Sequence, residues 1–82
     1  MAMSPPSAPV VIDARGHRCP VPTLKLQKQM QATAGDTCVI LIADDPMAQI
    51  DVPHFCNQNR YLLQSVEPCG TGWRFEVLRK HP

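Results

Sequence analysis

Pro20 and Pro22, one residue apart, restrict where a helix can start in this chain. Proline holds φ near about −65° and carries no N–H, so it suits the first helical turn, where that N–H has no partner, and disrupts a helix further in. A helix from about Pro20 to Thr33 meets that condition and puts Cys19 at or beside its N-cap. A thiol there faces unpaired backbone N–H groups and the positive end of the helix dipole, both of which favour an anion. Such positions take a cysteine from its ordinary pKa near about 8.5 to about 6.5–7.5, low enough for a nucleophile at neutral pH. Arg15, His17 and Arg18 add positive charge, and Gly16 lets the backbone turn sharply into the loop. Two readings of Cys19 stay open on these grounds: a reactive thiolate, and a structural cysteine buried ahead of a proline-started helix.

The rest of the chain reads as strands and helices around that loop. Val10-Val11-Ile12 is a short β-branched run ended by Asp13, which fits a first strand whose carboxyl end feeds the Cys19 loop. The first helix carries Val21, Leu24, Leu26 and Met30 as its apolar positions, with Ala34-Gly35-Asp36 as its stop. Thr37 to Ala43 contains the unbroken run Cys38-Val39-Ile40-Leu41-Ile42, the mark of a central strand covered on both sides, with Cys38 as a core residue. Asp44-Asp45-Pro46 reads as the capped start of a second helix rather than a metal site, because Mg²⁺ or Ca²⁺ needs more oxygen ligands than one Asp pair supplies. Pro53 predicts that this helix comes in two pieces or restarts at Asp51, then runs through Phe55 and Cys56 toward Asn59. Tyr61 to Glu67 and Trp73 to Leu78 read as a hairpin joined by Pro68-Cys69-Gly70-Thr71-Gly72.

Strand, helix, strand, helix, strand, strand predicts a two-layer α/β sandwich: a mixed four-stranded sheet with both helices on one face. Residues 1–9, rich in proline and serine, are expected to be a disordered tail, and residues 10–80 a single domain. With 8 Lys plus Arg against 7 Asp plus Glu, the chain has no long-range field to attract nucleic acid or an anionic membrane. Four aromatic residues are too few for a base-stacking platform on top of a core. No apolar run approaches the roughly 20 residues of a membrane span, and no secretory leader is evident, so a cytoplasmic, reducing setting is expected. There Cys19, Cys38, Cys56 and Cys69 stay as thiols; their separations of 19, 18 and 13 positions lack the Cys-x-x-Cys spacing of a zinc site, so no metal is expected.

The arrangement Asp-x-x-Gly-x-x-Cys-Pro-x-Pro from Asp13 to Pro22, then Asp44-Asp45-Pro46 and Asp51-x-Pro53-x-Phe55-Cys56, resembles the TusA/SirA family of small sulfur carriers. The likeness runs from about Val10 to Lys80. It implies a sulfurtransferase without cofactor, in which Cys19 accepts sulfane sulfur as a persulfide, with Gly16, Arg18, Pro20 and Pro22 shaping its loop and helix start. It further implies a donor such as a cysteine desulfurase or rhodanese-like protein, an acceptor protein, and outlets that include tRNA thiolation, molybdenum-cofactor supply and sulfur oxidation. A monomer that binds neither nucleic acid nor membrane is expected. Two other classes fit the same residues. A regulatory interaction module would use Cys19 as a mere cap, and a thiol–disulfide protein would pair Cys19 with Cys56 as a second thiol.

Overall fold

Parallel pairing of β1 (Val10–Asp13) with β2 (Val39–Ala43) sets the frame, with Val10 opposite Val39 and Asp13 opposite Ile42. The connection between them is α1 (Val21–Ala32), as parallel neighbours require a crossover. The structure, a computed structural model, describes residues 9–18, 20–32 and 37–79. After β2 come α2 (Ala48–Gln58), β3 (Tyr61–Cys69) and β4 (Gly72–Arg79). The sheet order is β1-β2-β4-β3, with β4 antiparallel to both of its neighbours. This is the expected two-layer arrangement, with a mixed sheet of four strands.

Alternation along the strands decides which side faces the helices. Val39, Leu41 and Ala43 of β2 and Phe75 and Val77 of β4 are fully buried against Leu26 and Met30 of α1 and Ala48, Val52 and Cys56 of α2. On the other side Glu76 accepts hydrogen bonds from Ser65 Oγ and Arg74 Nη1, which hold its carboxyl below the usual range. Phe75, at the sheet centre, is the largest fully buried side chain; cutting it to Ala would cost about 3–5 kcal/mol.

Several expectations change. The buried stripe of α1 is Pro22, Leu26 and Met30, spaced by four, whereas Val21 and Leu24 are exposed. Spacing by four keeps residues on one helical face, and 21 and 24 fall away from it. Thr33 and Ala34-Gly35-Asp36 lie outside the described residues; the last described turn of α1 has no basic residue of its own. Instead Arg79 of β4 donates from Nη2 to the Met30 carbonyl, a cation placed at the negative end of the helix dipole. Cys38 precedes β2 and is only half-buried, so it is not a core residue.

Pro53 does not split α2, which runs unbroken from Ala48 to Gln58 and does not restart at Asp51. The missing N–H deprives only the Gln49 carbonyl, and Gln49 is exposed where water can serve it; burial of Val52, Phe55 and Cys56 on one face outweighs the lost bond. The hairpin is tighter than expected: Cys69 pairs with Gly72, leaving Gly70-Thr71 as the turn. Gly70 has φ +59°, the left-handed region that a primed hairpin turn asks of its first central residue. Pro68 sits inside β3 because β3 is an edge strand, where a missing N–H costs the ladder nothing.

Candidate functional site

Both helices begin at the carboxyl ends of β1 and β2, so the loops that start them share one end of the sheet. The loop after β1 is built by three local devices. Asp13 and Arg15 close on each other through Nε to Oδ1 at 2.8 Å and Nη2 to Oδ2 at 2.7 Å, and the Arg15 N–H also donates to Oδ1. The hydrogen bonds from Arg15 hold the Asp13 carboxyl down at about 2 and push the guanidinium further up. Arg15 is therefore neutralised rather than being positive charge available to Cys19, as its sequence position had suggested. Next, Ala14 is fully buried and extends the β1–β2 ladder by donating to the Ile42 carbonyl at 2.8 Å. Its own carbonyl accepts the His17 N–H, closing a turn whose third residue is Gly16 at φ +83°. That position of a type II turn needs a residue tolerant of positive φ, which is the conformational freedom expected of Gly16.

The third device is a long-range contact. Asp44 Oδ1 accepts the Gly16 N–H at 3.0 Å, across 28 positions of sequence. The two adjacent aspartates thus divide the work. Asp45 opens the turn that leads into α2, its carboxylate accepting the Met47 N–H and its carbonyl the Ala48 N–H; the helix itself starts later than expected, at Ala48, with Met47 as an N-cap that makes no side-chain bond. Asp44 ties the end of β2 to the loop after β1. The available signal was topological: parallel neighbours end at the same edge, so residues just past their ends meet.

Arg18 and His17 are exposed, Pro20 is exposed and Pro22 is fully buried in the first turn of α1. Cys19 itself lies outside the described residues. Around it the backbone is settled: the Arg18 carbonyl accepts the Val21 N–H at 2.9 Å and the Pro20 carbonyl accepts the Leu24 N–H at 2.9 Å. The unpaired donors anticipated at this helix start are accordingly fewer. Pro20 and Pro22 have no N–H, and Val21's is taken. Beside the loop an open cleft of about 560 Å³ is lined by Gly16, His17, Arg18 and the segment Asp44 to Met47.

The structure groups Gly16, Arg18 and Pro20 at this surface and Pro22 beneath it. Cys56 is elsewhere, in the core on α2, 2% exposed, with burial pushing its thiol up to about 11. A thiol in that state is a packing group and a poor nucleophile at neutral pH. Cys69, half-buried, ends β3 at the same end of the sheet as the loop, on the opposite edge from β1; half-buried Cys38 is held above the ordinary thiol range by burial. Among the described residues no cluster of His, Cys, Asp and Glu is arranged to hold a metal ion, and no helix is long and apolar enough to cross a membrane.

The family model described as "Sulfurtransferase TusA" matches residues 10–79, from the first residue of β1 to the last of β4. The chain belongs to the TusA family. Its general role is accordingly that of a sulfurtransferase acting as a sulfur carrier between donors and acceptors. The TusA assignment covers the loop from Asp13 to Pro22 as well as the Asp44 that braces it. It gives a chemical meaning to an exposed loop at a helix start beside an open cleft.

Proposed function

We propose that Cys19 is the residue that carries the sulfur, as a persulfide, in a domain spanning residues 10–80. The Cys19 thiolate attacks the terminal sulfur of a donor persulfide, R–S–SH. A new S–S bond forms to Cys19, the donor S–S bond breaks, and the donor leaves as its thiolate, so that Cys19 holds –S–SH with no external oxidant or reductant. Reversal of the same step onto an acceptor thiol discharges it. The cysteine desulfurase or rhodanese-like donor and the tRNA-thiolation, molybdenum-cofactor or sulfur-oxidation acceptors of the family resemblance suit this exchange, in a reducing, cytoplasmic setting.

The observation that supports this reading best is the bracing of the loop on both sides of residue 19. Gly16 is pinned by Asp44, and Arg18 is pinned by the first turn of α1, while the loop's surface stays open. A carrier must present its sulfur to another protein's site without lending it conformational freedom. The pairing of Cys19 with Cys56 is disfavoured by the depth at which Cys56 lies. The test is intact-mass spectrometry after incubation with a cysteine desulfurase and cysteine. The expected result is a gain of one sulfur atom, removed by reductant and absent in Cys19→Ser; labelling at Cys56 or Cys69 instead would overturn it.

A further inference from the structure

The two edges of the sheet are not alike. β3 closes one side with a bulge between Leu63 and Ser65, a proline at Pro68 and the exposed Glu67, all of which hinder a further strand. β1 closes the other side as Val10-Val11-Ile12-Asp13, with neither proline nor lysine in it. The Val10 N–H donates to the Cys38 carbonyl and the Ala14 N–H to the Ile42 carbonyl, so the even-numbered residues of this strand face β2. Val11 and Asp13 therefore turn their N–H and C=O groups away from the sheet, at an edge that no described strand covers.

α1 overhangs this edge on the helix side. Lys25, Lys28, Gln29 and Ala32 share one stripe of α1 and, with half-buried Ile12 of β1, line an open groove of about 390 Å³. Lys25 and Lys28 are exposed, and neither is in an ion pair among the described residues. The Asp13 carboxylate, on the other face of β1, is held by Arg15. Asp44 and Asp45 keep their negative charge, but they line the separate cleft shared with Met47. The groove along β1 is thus cationic. On the opposite face of the same strand Val11 is 57% exposed.

A chain added beside β1 would meet these features in alternation, because its side chains point to opposite faces in turn. The residue beside Ile12 enters the groove under Lys25 and Lys28, and its neighbours lie on the side of Val11. Acidic residues suit the first position and apolar ones the second, whereas a cationic strand is repelled. A second copy pairing through its own β1 would set its two lysines against these, so the occupant is a different chain. We propose that the free edge of β1 and the groove under Lys25 and Lys28 form a docking site for an extended segment of another protein. That segment alternates acidic and apolar residues and adds to the sheet as a fifth strand.

The test is an NMR titration of the full, isotope-labelled chain with a short synthetic peptide of alternating Val and Glu. The Val11 and Asp13 amides are expected to shift and to gain protection from hydrogen exchange. The counterpart of alternating Val and Lys is expected to bind at least about ten-fold more weakly. Lys25→Glu/Lys28→Glu should reverse that preference, which a variant that merely fails to fold cannot do. Methylation of the peptide nitrogens at all Val or at all Glu positions should abolish binding in one case and spare it in the other, since only one row of donors faces β1. The proposal is overturned if the shifts fall on β3 or on residues 16–18 instead, or if the charge-reversed variant still prefers the Glu peptide. It is equally overturned if the two methylated peptides bind alike, or if no shift appears by about 1 mM peptide.

Discussion

Gly72 is the position at which the smallest chemical change should do the most damage. A Cβ placed there would stand 2.3 Å from the Ala43 carbonyl oxygen, 2.7 Å from Asp44 Cα and 2.9 Å from the Ala43 carbonyl carbon. Carbon–oxygen contacts of this kind normally begin at about 3.3 Å, so Gly72→Ala must push β4 and the end of β2 apart by about 1 Å. All three obstacles are backbone atoms, so no rotamer change relieves the clash. Overpacking of a rigid site costs about 1–3 kcal/mol, and with no flexible neighbour the upper value, about 3 kcal/mol, applies. For a domain of this size each kcal/mol is worth about 4–8 °C, which gives a fall in Tm of about 12–24 °C. Gly70→Ala is the control. Nothing lies within 4 Å of its added methyl, and only the left-handed backbone at φ +59° resists, at about 1 kcal/mol or about 4–8 °C. Thermal and urea unfolding followed by circular dichroism would measure both. If Gly72→Ala melts within a few degrees of Gly70→Ala, the contact geometry has been misread. Because Asp44 is one of the atoms displaced, the Gly16 amide resonance should also move in Gly72→Ala and stay in place in Gly70→Ala.

Other consequences follow from the same contacts. Asp13, held down at about 2 by Arg15, gives stability that is present above about pH 4 and lost as pH falls toward 2; a carboxyl-carbon titration should show that midpoint, and Arg15→Ala should return it toward 3.8. Cys56, pushed up to about 11 by burial, stays a thiol in the folded state, so stability should decline as pH rises from about 9 to 11, and alkylation of Cys56 in the native protein should be far slower than in urea. Thr23 has a buried Oγ1 with no hydrogen-bond partner among the described residues, so Thr23→Val should be neutral or stabilising by about 1 kcal/mol in urea unfolding. The pH dependence of alkylation at Cys19 should move up more in Arg18→Ala than in Arg15→Ala; equal effects would contradict the pairing of Arg15 with Asp13.

Element order, the two-layer architecture and the loop at the end of β1 were all legible in the sequence, because each rests on local rules. Val10-Val11-Ile12 and Val39 to Ile42 favour strands, and Pro20 and Pro22, either side of Val21, suit the first turn of a helix. What the sequence hid was set by tertiary context. Pro53 reads as a break until Val52, Phe55 and Cys56 are seen buried on one face of a continuous helix. Pro68 reads as loop until β3 is seen to be an edge. Asp44 reads as a cap because capping is local, and its hydrogen bond to Gly16 spans 28 positions that no local rule surveys. Leu24 reads as core by composition, but the turn angle of α1 places it outward, away from the buried Pro22, Leu26 and Met30.

The helix start also limits how residue 19 can be activated. An ordinary helix leaves its first N–H groups unpaired, and these do most of the work of holding an anion there. In this chain Pro20 and Pro22 carry no N–H, and Val21 donates to the Arg18 carbonyl, so direct amide donation from the residues just after Cys19 is largely removed. Positive potential at this helix start comes from the dipole of the 12-residue helix, equivalent to about half a charge, and from the exposed Arg18 guanidinium. An anion held by field rather than by hydrogen bonds is reactive yet poorly anchored. On the proposed persulfide reading that suits a sulfur that leaves again, since every donor fixed on a persulfide would have to be broken before the sulfur could pass on.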